Sequence, residues 1–309
     1  MTEHRIAVVG SFIADLAFRT AQLPAWGQTI MGSAFKLGPG GKGSNQAVAA
    51  ARLGARVGFI CKLGKDPFGD LARQTYRHEG IDTEYCFETA DHGTGTASIV
   101  VHDTHGENAI VVVPGSGYTL TTAEVDRAAP MIRRAQLFLT QLEVPAAVAE
   151  HALRIARAAG VTTILNPAPA APLPDRIYPL CDYFTPNETE AAALIGEPVE
   201  GLAGAERAAD VFLRRGARNV IVTLGAAGAF ARNAGLARHV PALDAGPAVE
   251  TTGAGDAFNG GLAVGLAEGL DLVAATRLGC ATAGISVTRP GTAPSMPTRA
   301  EVDALLRRS

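Results

Sequence analysis

A chain of 309 residues can bury a sizeable core as one large α/β domain or two modest ones, so a miniprotein is excluded. Its 27 Lys+Arg against 30 Asp+Glu give a formal net charge of -3 with no basic run. That balance argues against nucleic acid or an anionic membrane as partner and for a small molecule.

In chain order, the first apolar run, 6–9, is cut short by Gly10, too early for a signal-peptide core or a membrane span, and a cytoplasmic protein follows by elimination. Short β-branched runs then alternate with Ala-rich amphipathic stretches, the pattern of βα units around a mostly parallel sheet. Strands are predicted at 6–9, 57–60, 137–140, 162–165, 183–185 and 220–223, and helices at 45–53, 69–79, 146–159, 188–194, 203–215 and 256–268. Two stretches, 13–37 and 95–113, break the alternation. In the second, apolar runs at 96–102 and 109–113 flank a turn-like 103–108. These pieces are expected to form a small antiparallel β lid, from about 12–37 and 95–113, set apart from the main sheet; the alternative is an ordinary sheet extension. No internal repeat or long linker divides the chain, and a single α/β domain over 1–309 is expected. The four cysteines, Cys61, Cys86, Cys181 and Cys280, stand far apart without a C-x-x-C pair, which favours reduced thiols over a disulfide scaffold or a zinc site.

Gly38-Pro39-Gly40-Gly41-Lys42-Gly43 satisfies G-x-G-x-x-G and precedes a helix. A dinucleotide loop should follow the first strand, yet that strand ends at Gly10-Ser11. A nucleoside-triphosphate loop of the G-K-[ST] type fails as well, because Gly43 follows Lys42. What remains is a backbone bared for close approach, with one of the chain's four lysines and the Asn45 amide at hand. Such a loop suits a polyol; the plain alternative is a turn that packs strand against helix.

Glu250-Thr251-Thr252-Gly253-Ala254-Gly255-Asp256 leads into a helix rich in small residues. Free amides at a helix start attract anions, and a carboxylate beside them can take the proton of an attacking hydroxyl. Asp256 as a simple N-cap is the competing reading. Asn187 and Glu190 follow the strand at 183–185, at the sheet edge where ligands of open α/β folds collect. Together they could serve phosphate and hydrated Mg²⁺, or form a helix cap with a first-turn acid. Thr223-Leu224-Gly225-Ala226-Ala227-Gly228 ends a further strand, compatible with nucleotide contacts or with a plain turn.

In this order, the stretches Gly40-Gly41-Lys42-Gly43-Ser44-Asn45-Gln46-Ala47, Gln141-Leu142-Glu143, Leu165-Asn166-Pro167-Ala168-Pro169, Thr185-Pro186-Asn187-Glu188-Thr189-Glu190, Gly253-Ala254-Gly255-Asp256 and Ser286-Val287-Thr288-Arg289-Pro290-Gly291 resemble the PfkB-type carbohydrate kinase family, and its ribokinase branch in particular, across about 6–303. The resemblance implies a ribokinase-like α/β fold with a β lid that pairs in a homodimer. It implies ATP-dependent phosphorylation of a small sugar, D-ribose at O5, with Asp256 as base and Gly253, Ala254 and Gly255 in an anion hole. Asp15, Gly41, Lys42, Gly43, Asn45 and Glu143 would hold the sugar. Asn187, Thr223, Gly225, Gly228, Gly255 and Cys280 would hold ATP, and Glu190 would help place Mg²⁺ through water. A K⁺ site would be built, mostly from backbone, near Glu250, Thr252, Ser286, Arg289, Gly291 and Ser295.

Three positions depart from the family pattern. Ile13-Ala14-Asp15 stands where ribokinases read Asn-x-Asp, so an amide that would reach a sugar hydroxyl has become apolar and a 2-deoxyribose kinase is the competing enzyme. Glu250 replaces an Asp beside the cation loop, and Pro39 stiffens the glycine loop. From other classes, a nicotinamide-dependent dehydrogenase would require NADH binding without ATP, and a non-catalytic sugar-binding protein would require the base and anion hole to be idle.

Overall fold

The computed structural model describes residues 5–104 and 107–308. The opening residues 1–4 and positions 105 and 106 of the predicted turn lie outside that range. In chain order the elements are β1 (Arg5–Val9), β2 (Ile13–Thr20), β3 (Ala34–Gly40), α1 (Lys42–Arg52), β4 (Arg56–Gly64), α2 (Pro67–His78), β5 (Cys86–Thr89), β6 (Gly95–His102), β7 (Asn108–Val113), α3 (Thr122–Arg134) and β8 (Leu137–Thr140). There follow α4 (Ala146–Ala158), β9 (Thr162–Leu165), β10 (Tyr183–Phe184), α5 (Glu188–Ile195), α6 (Gly201–Arg214), β11 (Asn219–Thr223), β12 (Ala229–Asn233), β13 (Ala237–Val240), α7 (Ala254–Ala267), α8 (Leu272–Ser286) and α9 (Arg299–Arg308).

The large sheet has nine strands in the order β13-β12-β11-β10-β9-β8-β1-β4-β5, parallel from β11 to β5, with β12 and β13 added antiparallel at one edge. Its central strands read as unbroken apolar runs because both faces are covered. Along β1, Ile6 and Val8 point into the core under α1, α2, α7 and α8, while Ala7 and Val9 point into the core under α3, α4 and α6. From β1 the chain winds one way to β4 and β5 and later the other way to β8 and β9. The crevice at the carboxyl ends of β1 and β8 is therefore a topological switch point, where open sheets of this kind bind ligands.

The smaller sheet has the order β3-β2-β6-β7. Its outer pairs are antiparallel, as expected, but β2 and β6 run parallel in the register Ile13↔Gly95 to Thr20↔His102. Both strands leave the carboxyl edge of the large sheet, from β1 and from β5, and so point the same way. Segment 21–33, inside the first expected lid piece, carries no strand.

Helices α3, α8 and α9 were not among the predicted ones. Pro130 interrupts the pattern of α3, whose start is nevertheless fixed by a Thr121/Glu124 capping box. Helix α8 is buried on most of its surface and so lacks an amphipathic stripe. Pairing of β4 with β5 also sets two sequence-distant cysteines side by side: Cys61 and Cys86 are in register with Sγ atoms 3.3 Å apart, both as free thiols.

Candidate active site

The glycine loop reaches the end of β1 by contact of bare backbones. A Cβ on Gly43 would stand 2.6 Å from Gly10 Cα, and the Ser44 N–H bonds the Ser11 carbonyl at 3.0 Å. Gly41, at φ 87°, makes the left-handed turn that starts α1. The helix therefore begins inside the crevice, with Lys42 at its first position.

Glu143, just beyond β8, braces this turn by accepting the Lys42 N–H at 2.8 Å and the Ser11 hydroxyl at 2.5 Å. Burial raises its pKa, against the pull of the Lys42 ammonium. Burial alone would lower the Lys42 pKa, but Asp256, Glu143 and Glu190 outweigh it and the ammonium is held above its ordinary value. Asp15 lies across the loop on β2, where Thr292 Oγ1 donates to its carboxylate at 2.9 Å. Two residues earlier on the same strand face is Ile13, buried, with its Cδ1 lying over Gly95.

Helix α7 brings the second half of the site. Gly260 lets α7 lie directly on α1, since a Cβ there would meet Ala49 Cβ at 2.5 Å and the Gln46 carbonyl at 3.1 Å. That contact aligns the first turns of the two helices. Asp256 consequently is not the cap of its helix: Gly253 holds the N-cap position, at φ 81°, with no side-chain cap. The Asp256 carboxylate, 5% exposed, instead accepts Asn45 Nδ2 at Oδ2 and Gln46 Nε2 at Oδ1, both at 2.9 Å. Burial raises its pKa while Lys42, Asn45 and Gln46 oppose the rise. Of the backbone amides at 253–256, that of Ala254 is used on the Thr251 carbonyl at 3.1 Å. Those of Gly253, Gly255 and Asp256 have no acceptor among the described residues.

A cavity of about 130 Å³ joins these groups to the ends of β10 and β11, bringing together Lys42, Asn187, Glu190, Thr223, Gly253, Gly255 and Asp256. Asn187 and Glu190 form the capping box of α5, with the Asn187 side chain accepting from Glu190 N at 2.7 Å and Glu190 Oε2 from Asn187 N at 2.9 Å. Glu190 is thus both a cap and a buried wall of the cavity; burial raises its pKa, and the Asn187 N–H and Lys42 oppose. Gly225 borders open space beyond Thr223, whereas Gly228 is required by the Val240 carbonyl, 2.2 Å from where its Cβ would be. Cys280, on α8, packs among core side chains and does not line this cavity. Burial pushes its thiol up to about 12. A larger cavity of about 700 Å³ lies at the amino ends of β1 and β4, the opposite sheet edge, near Arg5, Arg56, Arg77 and Arg134. Arg77 and Arg134 occupy last turns of helices, where basic residues complement the helix dipole. The sequence-predicted site residues Lys42, Asn187, Glu190, Thr223 and Asp256 line the smaller cavity and not the larger one.

The two segments named for a monovalent cation are adjacent. Val249 and Glu250 donate their N–H groups to the Val287 carbonyl at 2.7 and 3.1 Å, and Glu250 Oε2 accepts the Gly291 N–H at 2.8 Å. Thr252 sits in the turn that leads to Gly253. Ser286 and Ser295 donate their hydroxyls to the Ala283 and Thr292 carbonyls, and the Arg289 guanidinium is engaged by Glu301. Sequence reasoning did not single out Gln46, Ser11 or Thr292 as site residues. Each is an uncharged group whose only signal is its neighbour: Gln46 follows Asn45, Ser11 ends the first strand, and Thr292 follows Gly291.

Burial lifts the Asp15 carboxyl from 3.8 to about 6, with the Thr292 hydrogen bond opposing and Glu143, Asp256 and Glu250 adding to the rise. A carboxyl that titrates higher in the folded chain binds more protons there, so its stabilising contribution is complete below 3.8 and is lost as pH rises through about 6. Denaturant midpoints measured across that window should show wild type losing stability relative to Asp15→Asn as pH increases. A difference independent of pH would mean that the Asp15 carboxyl is not buried in this way.

The pfkB family carbohydrate kinase model matches residues 3–299. Mouse (Mus musculus) ribokinase is 41% identical over 306 residues, covering 97% of this chain and 94% of the relative, and Salmonella typhi deoxyribokinase is 39% identical with 95% of each covered. The structure of Arabidopsis thaliana ribokinase complexed with ribose and ATP superposes with a TM-score of 0.94 over 100% of both chains at 30% identity. The helix-flanked parallel sheet agrees with the structural likeness, and the chain belongs to the pfkB family of carbohydrate kinases.

Proposed function

We propose that this protein transfers the terminal phosphoryl group of ATP to the 5-hydroxyl of D-ribose. The observation that carries the reading is the Asp256 carboxylate, buried across from Lys42 and beside the open N–H groups that begin α7. Asp256 accepts the hydroxyl proton as the sugar oxygen attacks phosphorus and the bond to the ADP leaving group breaks. The N–H groups of Gly253, Gly255 and Asp256 meet the charge that develops on the transferred group. Lys42 supplies a fixed cation between the two substrates.

In this reading the sugar lies against Asp15, Gly41, Lys42, Gly43, Asn45 and Glu143, and ATP against Asn187, Thr223, Gly225, Gly228 and Gly255. Among the described residues no group of three or more His, Cys, Asp or Glu side chains is arranged to hold a metal ion. Mg²⁺ keeps most of its water and takes few protein ligands, and Glu190, a wall of the cavity, would help place it through water. The metal would neutralise phosphate charge. Glu250, with its second carboxylate oxygen available, and the backbone around Thr252, Ser286, Arg289, Gly291 and Ser295 fit K⁺. The whole chain, 1–309, would act as one unit with the four-stranded sheet as its lid. Reduced thiols and the use of ATP support a cytoplasmic setting, and among the described residues no helix is long and apolar enough to cross a membrane.

By strand register, Phe18, Phe35, Leu37, Val111 and Val113 share the lid face opposite that of Asp15, and each is exposed by 41% or more. An apolar face of this kind supports a homodimer formed through the lid. Sedimentation equilibrium should report a dimer for wild type and a shift toward monomer for Phe35→Asp; a monomeric wild type would refute the lid interface.

A second sugar is favoured by one observation. Ile13 presents only carbon on the strand face it shares with Asp15, so a hydroxyl placed there gains no hydrogen bond. This supports 2-deoxyribose as the competing substrate, and a deoxyribokinase is among the relatives. Coupled ADP-release assays with both sugars, with and without K⁺, decide between them. Ile13→Asn should raise the ribose to 2-deoxyribose ratio of kcat/KM by about tenfold or more. An unchanged ratio would remove Ile13 from the specificity argument. Asp256→Asn should lower turnover by about a thousandfold while ATP still binds. Near-normal turnover in that variant would sink the assignment of the base.

A further inference from the structure

Both oxygens of Asp256 are held by amides, but the two amides are not equivalent. Asn45 reaches Oδ2 from an amide whose own Oδ1 is buried without a partner. Gln46 reaches Oδ1 from an amide engaged on every side. Its Oε1 accepts Gln141 Nε2 at 2.5 Å, and its Nε2 donates to Asn166 Oδ1 at 3.1 Å as well as to Asp256 at 2.9 Å.

The direction of this network is set at its far end. Asn166 Nδ2 donates to the backbone carbonyl of Thr185 at 2.9 Å, and a carbonyl can only accept. The Asn166 oxygen must therefore face Gln46, and only the Gln46 nitrogen can answer it. Rotating the Gln46 amide by half a turn would set its oxygen against two other acceptors, Asn166 Oδ1 and the Asp256 carboxylate. Gln46 and Gln141 are fully buried and Asn166 nearly so, and such a clash would leave acceptor facing acceptor at a cost in free energy. The chain Thr185 to Asn166 to Gln46 to Asp256 thus has one stable polarity, with a donor pointed at the carboxylate.

We propose that Gln46 is a positioning residue for Asp256, one that presents a fixed donor to Oδ1 and so holds the carboxylate ionised and turned toward the hydroxyl that it deprotonates. The inference rests on the reading of Asp256 as the base. Gln46 itself sits behind the carboxylate, within α1. Lys42 from α1, Glu143 after β8, Glu190 from α5 and Asp15 from β2 also act on Asp256 or share its field, and a change at Gln46 leaves all four in place.

The test is Gln46→Met, which keeps the side-chain length and removes both donors. With ATP and the better of the two pentoses, kcat should fall about 10- to 100-fold, because a misplaced group at the reacting centre loses much of its effect. The acid limb of the kcat–pH profile should move to higher pH, since the carboxylate has lost a donor that favours its charged form. ATP affinity, measured by calorimetry, should change by less than about threefold. A kcat within about threefold of wild type overturns the proposal, as does a lower kcat with an unmoved acid limb, which would mark a merely structural role. Should Gln46→Met not fold, Gln141→Met provides the same reading: it frees the Gln46 oxygen without touching Asp256 and should move the acid limb in the same direction by less. An inactive Asp256→Asn together with unaffected Gln46 and Gln141 variants would overturn this inference alone, whereas an active Asp256→Asn would overturn the base assignment beneath it.

Discussion

The contact between Gly10 and Gly43 is the constraint on which the remaining geometry depends. Two backbones meet there with no side chain between them, and the end of β1 thereby becomes the floor on which α1 begins. Any Cβ at this contact would displace the helix, and a bulky one in a packed core forces backbone shifts that cost about 1–3 kcal/mol. Stability is the lesser loss. Lys42, Asn45 and Gln46 all project from the first turn of α1, and each addresses a carboxylate on another element. Moving the helix would separate the cation and both amides from Asp256 at once.

The site gathers more negative charge than it neutralises. Asp15, Glu143, Glu190 and Asp256 are all raised in pKa by burial, and one lysine answers them. Removing carboxylates from water is tolerated only where donors replace the water, and here the donors are specific: Thr292 for Asp15, Ser11 and the Lys42 amide for Glu143, Asn187 N for Glu190, Asn45 and Gln46 for Asp256. Each acid is thereby given a fixed orientation before any ligand arrives. For phosphoryl transfer, where positioning and charge stabilisation supply most of the rate, this preorganisation is what the fold contributes.

The parallel core and the glycine-rich turns were legible in the sequence because they leave local marks: a run such as Ile6-Ala7-Val8-Val9 needs cover on both faces, and glycines mark close approach. The small sheet was visible as a break in the alternation, but its parallel middle pair was not, because β2 and β6 are separated by most of the first half-sheet. Asp256 could be read as a cap or as a base from sequence, and only the packing of α7 on α1 decides that the side chain turns inward. Gln46 left no mark, since a neutral amide inside a helix looks like any surface glutamine until Asn166 and Gln141 are brought to it from β9 and β8. Cys61 and Cys86 show the same limit, for register is a property of two strands and neither strand records it alone. Cys280 fell on the buried side of α8, a helix without the periodicity that would have placed it.

Strand β3 ends at Gly40 and α1 begins at Lys42, with no linker between them. Thr292 ties the same corner from the other side, its hydroxyl lying 2.9 Å from both the Pro39 carbonyl and Asp15. The small sheet and the glycine loop are thus continuous along the chain, joined at Gly41. Any displacement of the small sheet would therefore reach Lys42 through a single intervening residue, and among the described residues Thr292 is the side chain that bonds both β2 and β3 at that corner.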